Sequence, residues 1–312
     1  MIKGRIIDLN AGVYTILADG KKYEAKARGK LRSFKVDKNS KFNTGNMNKL
    51  SSKVESQNIK LSPIVGDIVE FEPSDHTNYI INVEERKNSL IRPEISNIDQ
   101  ILLVFSVKEP DFSSYLLDLF ITNIEYHNIK PIIILTKIDK LSVEELKNLK
   151  EELSYYEKIG YKLYYVNSFD KSTVEIVKDE LYHKVTILSG QTGAGKSSFI
   201  NALSLGLNLQ TNEISFALNR GKHTTRKITL YEAFNGLIGD TPGFSKLEIE
   251  PKLKEIKNSF IEFRNYECRF LDCDHLKSSL GCQIKDNPEI KKSRYQNYIK
   301  IYEQKMGEKK WE

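Results

Sequence analysis

Gly190-Gln191-Thr192-Gly193-Ala194-Gly195-Lys196-Ser197-Ser198 satisfies the pattern G-x-x-x-x-G-K-[ST] at every fixed position. An apolar, β-rich approach, Val185-Thr186-Ile187-Leu188, leads into it, and a helix-compatible run, Ser198-Phe199-Ile200-Asn201-Ala202-Leu203, leaves it. The physical demand behind the pattern is specific. Glycines let the backbone wrap around phosphates with N–H groups turned inward, and the helix that follows adds its positive end. Lys196 supplies a mobile point charge for the outer phosphates, and Ser197 a hydroxyl for Mg²⁺. The stretch predicts a nucleoside-triphosphate site at a strand-to-helix turn.

Upstream, three apolar strand candidates alternate with helical segments. Gln100-Ile101-Leu102-Leu103-Val104-Phe105 precedes Tyr115-Leu116-Leu117-Asp118-Leu119-Phe120-Ile121, and Pro131-Ile132-Ile133-Ile134-Leu135 precedes a charged periodic helix over 143–159. Leu163-Tyr164-Tyr165-Val166 precedes a helix over 173–181. Nearly continuous apolar strands separated by helices predict a parallel sheet covered on both faces, joined by the strand at 185–188. Residues 227–232 and Leu237-Ile238-Gly239 add two more strand candidates.

The amino-terminal segment reads differently. Gly4-Arg5-Ile6-Ile7, Val13-Tyr14-Thr15-Ile16-Leu17 and Tyr23-Glu24-Ala25 are short strands divided by turns at Asn10-Ala11-Gly12 and Asp19-Gly20. Ile68-Val69-Glu70-Phe71 and Tyr79-Ile80-Ile81-Asn82-Val83 complete a small antiparallel barrel. Lys21, Lys22, Lys26, Arg28, Lys30 and Arg32 give it a basic rim, compatible with nucleic acid or with plain solvation. Residues 35–60, rich in Lys, Asn and Ser, read as a long loop, and 87–93 as a linker. Beyond Pro251 the pattern becomes helical, charged and aromatic, ending in a basic helix.

The 312 residues are 39% hydrophobic and 29% charged, which predicts a folded chain of two or three domains. A net charge of +6 mildly favours polyanionic partners. No apolar run reaches the roughly 18 residues a membrane helix needs, and the amino terminus lacks a signal-peptide core. A cytoplasmic protein without a membrane partner is expected, acting as a monomer. The three cysteines fall together as Cys268-x4-Cys273-x-His275-x6-Cys282. Three thiolates and an imidazole suit tetrahedral Zn²⁺ and leave no open position, so one structural zinc per chain is expected.

Two further motifs concern the nucleotide. Asp240-Thr241-Pro242-Gly243 ends a short apolar strand, where the carboxylate can engage Mg²⁺ through water and Gly243 can offer an N–H to a γ-phosphate. Thr136-Lys137-Ile138-Asp139 follows the 132–135 strand, where Asp139 can accept two hydrogen bonds from guanine and the Lys137 stem can cover the base. After the next strand, in Val166-Asn167-Ser168, a backbone N–H can reach the guanine oxygen. Together with the phosphate loop, these place Thr136, Lys137, Asp139, Asn167, Ser168 and 190–198 at GTP.

The base-reading motifs precede the phosphate loop, whereas ordinary GTPases carry them after it. With its amino-terminal barrel and carboxy-terminal cysteine cluster, this order resembles the bacterial ribosome small-subunit-dependent GTPase A family, and the resemblance covers essentially the whole chain. It implies a circularly permuted P-loop GTPase domain at 85–250, an OB-like RNA-binding barrel at 1–84 and a helical zinc-binding domain at 251–312. It also implies GTP hydrolysis coupled to maturation of the small ribosomal subunit and its rRNA, stimulated by the subunit and promoting release of the factor. The family's base motif usually begins with Asn where this chain has Thr136, and Thr192 stands where Ser is common. By resemblance, Gly221-Lys222-His223-Thr224-Thr225-Arg226 is the first switch. One of Thr224 and Thr225 is then the Mg²⁺ ligand, with motif matching favouring Thr225, and His223 is open between positioning water and meeting a partner. Phe244 stands where many GTPases place a water-orienting glutamine, which predicts slow turnover without a partner. An RNA-dependent ATPase and a non-hydrolysing RNA-binding GTP sensor are the competing readings. Asp139 argues against the first, and single-turnover measurement separates the second.

Overall fold

The computed structural model describes residues 1–28, 34–37, 56–59, 62–205, 228–240, 248–276 and 281–308. The described residues of 1–99, 180–187 and 228–240 form one compact unit, and those of 100–179, 188–205 and 248–308 form a second.

Strands β1 (Ile2–Asn10), β2 (Val13–Ala18) and β3 (Lys21–Ala27) form an antiparallel meander. Its turns, Ala11-Gly12 and Asp19-Gly20, have positive φ at both central residues, the twist that suits two-residue hairpins. Next come β4 (Phe34–Asp37), β5 (Ser56–Ile59), β6 (Ile68–Glu72) and β7 (Asn78–Val83). A closed barrel runs β1-β2-β3-β7-β6, with β3 and β7 parallel and the β1–β2, β2–β3, β1–β6 and β6–β7 pairs antiparallel. Period-2 alternation turns Ile6, Ile16, Ala25, Val69, Phe71 and Ile80 into its interior, and closure removes free sheet edges. This is the expected OB-like barrel, with the difference that β3 and β7 pair in parallel where the sequence predicts an antiparallel barrel.

Two expectations in this region change. The loop read over 35–60 contains β4 and β5, which pair antiparallel through backbone groups, so a polar composition is no obstacle. The linker read at 87–93 carries half of a small ladder, β8 (Ser89–Leu90) with β9 (Ile95–Ser96). Arg86 and Asp67, both buried, pair at 2.7 Å just before it, and Ser96 donates to Asp67 at 2.5 Å.

The chain then alternates β10 (Gln100–Ser106), α1 (Ser114–Tyr126), β11 (Lys130–Thr136), α2 (Val143–Lys158), β12 (Lys162–Val166), α3 (Lys171–Lys178), β13 (Val185–Gly190) and α4 (Lys196–Leu205). Side chains start the helices: Ser113 caps α1, Asp170 caps α3, and Ser142 with Glu145 forms a full capping box on α2. The hairpin β14 (Leu230–Ala233) and β15 (Gly236–Asp240) turns at Phe234-Asn235, both of positive φ. The six-stranded sheet has the order β12-β11-β10-β13-β15-β14. Every residue of β10 and β13 is buried, as strands covered on two faces require, and the β14–β15 pair at one edge is antiparallel.

Registers Ser106↔Thr136 and Thr136↔Val166 bring the carboxyl ends of β10, β11 and β12 level. In open α/β sheets that edge is where ligands bind.

After residue 250 the expected helices are mostly short 3₁₀ turns, at Ile256–Ser259 and Ile261–Asn265, followed by α5 (Lys292–Glu308). Ile256, Phe260 and Phe263 meet Tyr298, Ile301 and Tyr302 of α5, spaced as one helical face, with Leu119 of α1. A buried polar knot joins the same elements. Arg294, 1% exposed, pairs with Asp118 and with Glu262 (2.8 Å), while Asn297 and Tyr156 each donate to Asp118 at 2.7 Å. Burial pushes the Asp118 carboxyl up, and it also disfavours charge on Arg294. The two carboxylates outweigh that cost and hold the guanidinium well above its usual range.

Candidate nucleotide site and metal centre

Gly190 ends β13 at φ 128°, and a Cβ there would stand 2.2 Å from the Val104 carbonyl. Only glycine lets the chain turn out of the sheet so close to β10, where Gln191 N–H then donates to Val104 O at 3.1 Å. Ala194 N–H closes a turn onto Gln191 O (3.2 Å), and Phe199 N–H onto Gly195 O (2.9 Å) launches α4. Among the described residues the N–H groups of Gly193 and Gly195 meet no internal acceptor. The Lys196 ammonium arches back to the carbonyls of Gly190 (3.3 Å) and Gln191 (3.4 Å). Donors and a cation thus converge on a loop at a helix start, an arrangement made for an anion. Thr192, Ser197 and Ser198 are exposed beside it, with Ser197 and Ser198 in the first turn of α4.

The motifs predicted to read the base stand at the same edge. Thr136 is 1% exposed, and its hydroxyl donates to Ala194 O (2.5 Å), with Phe105 O at 3.1 Å. This side chain therefore ties the end of β11 to the phosphate loop. Lys137 adopts the left-handed conformation, φ 60°, which lays its chain along the loop. Its ammonium donates to Gly193 O (2.9 Å) and to Glu109 O. Asp139 follows in an exposed 3₁₀ turn, and among the described residues nothing bonds its carboxylate.

After β12, Asn167 and Ser168 are half-buried. The Asn167 N–H is taken by Thr173 Oγ1 (3.0 Å), Phe169 N–H by Asn167 Oδ1 (3.0 Å) and Asp170 N–H by Asn167 O (3.0 Å). Only the Ser168 N–H of this loop is left without an acceptor among the described residues. Asp240 closes β15 and is half-buried. His223, Thr225 and Gly243 lie outside the described residues.

The four predicted metal ligands are brought together. One donor atom from each of Cys268, Cys273, His275 and Cys282 lies within 4.8 Å of the others. His275 Nδ1 is 3.5 Å from Cys268 Sγ and 3.7 Å from Cys282 Sγ. Tetrahedral zinc, with bonds of about 2.3 Å to sulfur and 2.0 Å to nitrogen, sets such pairs about 3.5 Å apart. Burial, helped by the Lys257 charge, lowers His275 to about 4, so its nitrogen is an unprotonated donor at neutral pH. Burial raises the Cys268 thiol, partly offset by the N–H that Gln283 donates to its sulfur (3.3 Å). The donor set fits a metal.

Sequence reasoning did not find the supports of this centre. Lys257 donates to the carbonyls of Leu271 (3.0 Å) and Cys273 (2.9 Å), fixing the turn between two ligands, and Tyr295 OH donates to His275 O at 2.6 Å. Neither has a motif. The recurrence of Tyr295, Tyr298 and Tyr302 at helical spacing is the only trace of the second.

Comparison with known proteins decides the family. RsgA GTPase matches residues 83–250, more than half of the chain. The chain belongs to the RsgA GTPase family. RsgA GTPases related over the full length include the small ribosomal subunit biogenesis GTPase RsgA 2 of Oceanobacillus iheyensis, 40% identical over 97% of both chains. The small ribosomal subunit biogenesis GTPase RsgA of Staphylococcus haemolyticus is 41% identical, again over 97% of both. Among solved structures, YjeQ from Thermotoga maritima superposes with TM-score 0.78 at 30% identity, covering 98% of this chain and 99% of that one. YloQ, a circularly permuted GTPase, gives TM-score 0.74 at 28% identity over 99% and 96%. As an RsgA-type enzyme the chain is a GTP hydrolase, and its permuted motif order, barrel and Cys₃His cluster agree with that family. No helix of the described residues is long and apolar enough to cross a membrane.

Proposed function

We propose that this chain hydrolyses GTP to GDP and phosphate as a cytoplasmic, monomeric maturation factor of the small ribosomal subunit, with hydrolysis completed by the subunit and followed by release. The barrel (1–84) and the zinc domain (251–312) grip rRNA, and the GTPase domain (85–250) reports nucleotide state. In this account the N–H groups of 190–198 and the Lys196 ammonium hold the β- and γ-phosphates. Ser197, Asp240 and one of Thr224 and Thr225 hold Mg²⁺, and the backbone N–H of Gly243 is offered to the γ-phosphate. Mg²⁺, when bound with GTP, neutralises charge that builds on the phosphates. His223 is assigned to water or to the partner. Thr136 acts through the phosphate loop, Lys137 lays its stem against the base, and Asp139 and the Ser168 N–H read its edge. Zn²⁺, one per chain, is held by Cys268, Cys273, His275 and Cys282 as a structural ion.

The support that weighs most is the hydrogen bond from Thr136 to Ala194, which with the β11–β12 register gathers at one sheet edge the phosphate loop and, among the described residues, an unbonded carboxylate and an unbonded N–H. Guanine offers N1–H and N2–H donors beside an O6 acceptor, matching that carboxylate and that N–H. Adenine carries the opposite polarity at the same edge. Asp139→Asn is expected to weaken GTP binding about 10–100-fold, as loss of a charge-assisted pair of hydrogen bonds costs on the order of 1.5–3 kcal/mol. It should shift preference toward xanthosine triphosphate. Competition binding checks both effects, and unchanged selectivity would remove Asp139 from the base site.

A further inference from the structure

The three candidate zinc thiolates are not equally sheltered. Cys273 is 7% exposed, and Lys257 pins its carbonyl at 2.9 Å, whereas Cys268 and Cys282 are only half-buried. The backbone brings these last two face to face. Arg269 N–H donates to Gly281 O at 3.0 Å. A Cβ on Gly281 would stand 2.6 Å from the Arg269 Cβ, so glycine lets the two runs of chain close on each other. Next to that bond, Gln283 N–H reaches across to Cys268 Sγ at 3.3 Å, and Lys285 N–H reaches Cys282 Sγ at 3.4 Å. Each of the two accessible sulfurs thus accepts from a backbone donor, which favours the thiolate, the nucleophilic form.

The donor atoms of the cluster all lie within 4.8 Å of one another, so a disulfide of about 2 Å asks the two sulfurs to close by less than about 3 Å. We propose that Cys268 and Cys282 are an oxidative modification site, where a hydroperoxide joins them in a disulfide and frees the metal. One thiolate attacks a peroxide oxygen, the O–O bond breaks, and the departing hydroxide takes a solvent proton and leaves as water. The second thiolate attacks the sulfenic sulfur so formed and expels hydroxide, which is protonated to a second water. Two electrons pass from the sulfur pair to the peroxide. Cys273 and His275 then remain as donors, two where a structural site uses four, too few to keep the ion. The identity of that ion rests on the zinc reading of the cluster; the pairing of the cysteines does not. Cys273 stays out of the pair because burial shields its thiol from the oxidant.

The full chain, as purified, is treated with hydrogen peroxide. Released zinc is followed with a metallochromic dye, and cysteine pairing by alkylation after denaturation and peptide mass spectrometry. About one Zn²⁺ per chain should appear, the content of one four-ligand set, in step with a peptide that links Cys268 to Cys282. Cys273 should remain alkylatable. Dithiothreitol with added Zn²⁺ should then restore the metal and all three thiols. Zinc retained under excess peroxide with no disulfide would overturn the proposal. So would a disulfide that includes Cys273, or oxidation to sulfinic acid without a link. If the purified chain carried no zinc, the zinc reading would fail, and the pairing would be decided by the mass spectrum alone. A Cys268–Cys282 link would then still establish the modification site, and its absence would remove it.

Discussion

Lys196→Ala is expected to reduce single-turnover GTP hydrolysis by about 10²–10³-fold, the usual cost of removing one donor aimed at transition-state charge. The lysine is half-buried, and its ammonium meets two loop carbonyls at the long distances of 3.3 and 3.4 Å. These contacts hold the ammonium over the loop, where the phosphates of a nucleotide would lie. Alanine suits the first turn of α4, and the neighbouring turn bonds from Ala194 and Phe199 use backbone atoms alone, so the fold should survive. Ser197→Ala provides the contrast: its loss should fall on Mg²⁺ dependence, raising the Mg²⁺ concentration needed for half-maximal turnover. Phosphate release at saturating GTP, with melting curves for both variants, checks these results. Full turnover by both would displace the chemistry from this loop.

The second large effect concerns the metal. Elemental analysis should find about one Zn²⁺ per chain, as one closed four-ligand set demands. Cys273→Ser should lose it. Structural zinc sites contribute about 10–16 kcal/mol of apparent binding energy, as much as the whole stability of a typical domain. The damage has a predictable boundary. Residues 266–276 and 281–285 depend on the ligands and on the Lys257 bonds to Leu271 and Cys273, whereas α5, which meets them through Tyr295 and His275 O, is also held by Arg294, Asp118 and the Phe260–Tyr298 core. Hydrogen exchange should therefore rise across the cysteine region and much less in α5, while GDP affinity persists. Stoichiometric zinc in a chain lacking both Cys273 and Cys282 would refute the centre.

How much of this was legible in the sequence follows from how far apart the cooperating atoms lie. The phosphate loop and the Cys₃His cluster are local, and their chemistry dictates spacing, so both can be read directly. The strands of the central sheet announce themselves by continuous apolar runs, and the barrel by its two tight turns. Thr136 is different. Its hydroxyl meets Ala194 across 58 positions, and nothing in Thr-Lys-Ile-Asp says that the side chain is spent on the phosphate loop. Arg294 reaches Asp118 across 176 positions, and from the sequence alone it is one more basic residue in a charged tail. The β4–β5 pair escaped because its ladder is made of backbone groups in a polar stretch. The 3₁₀ turns after residue 250 escaped because a period near 3 is hard to separate from 3.6 over four or five residues.

The central claim is that the small ribosomal subunit completes a GTPase that is slow alone, and one titration tests it most directly. GTP turnover is measured against purified small subunits at two salt concentrations. Slow hydrolysis by the free chain is expected, as Phe244 offers no hydrogen bond to the attacking water, with a saturable increase as subunits are added. Half-saturation should move to higher subunit concentration as salt rises, because docking draws on phosphate contacts. Free protein that already turns over GTP as fast as the subunit-bound form would contradict it.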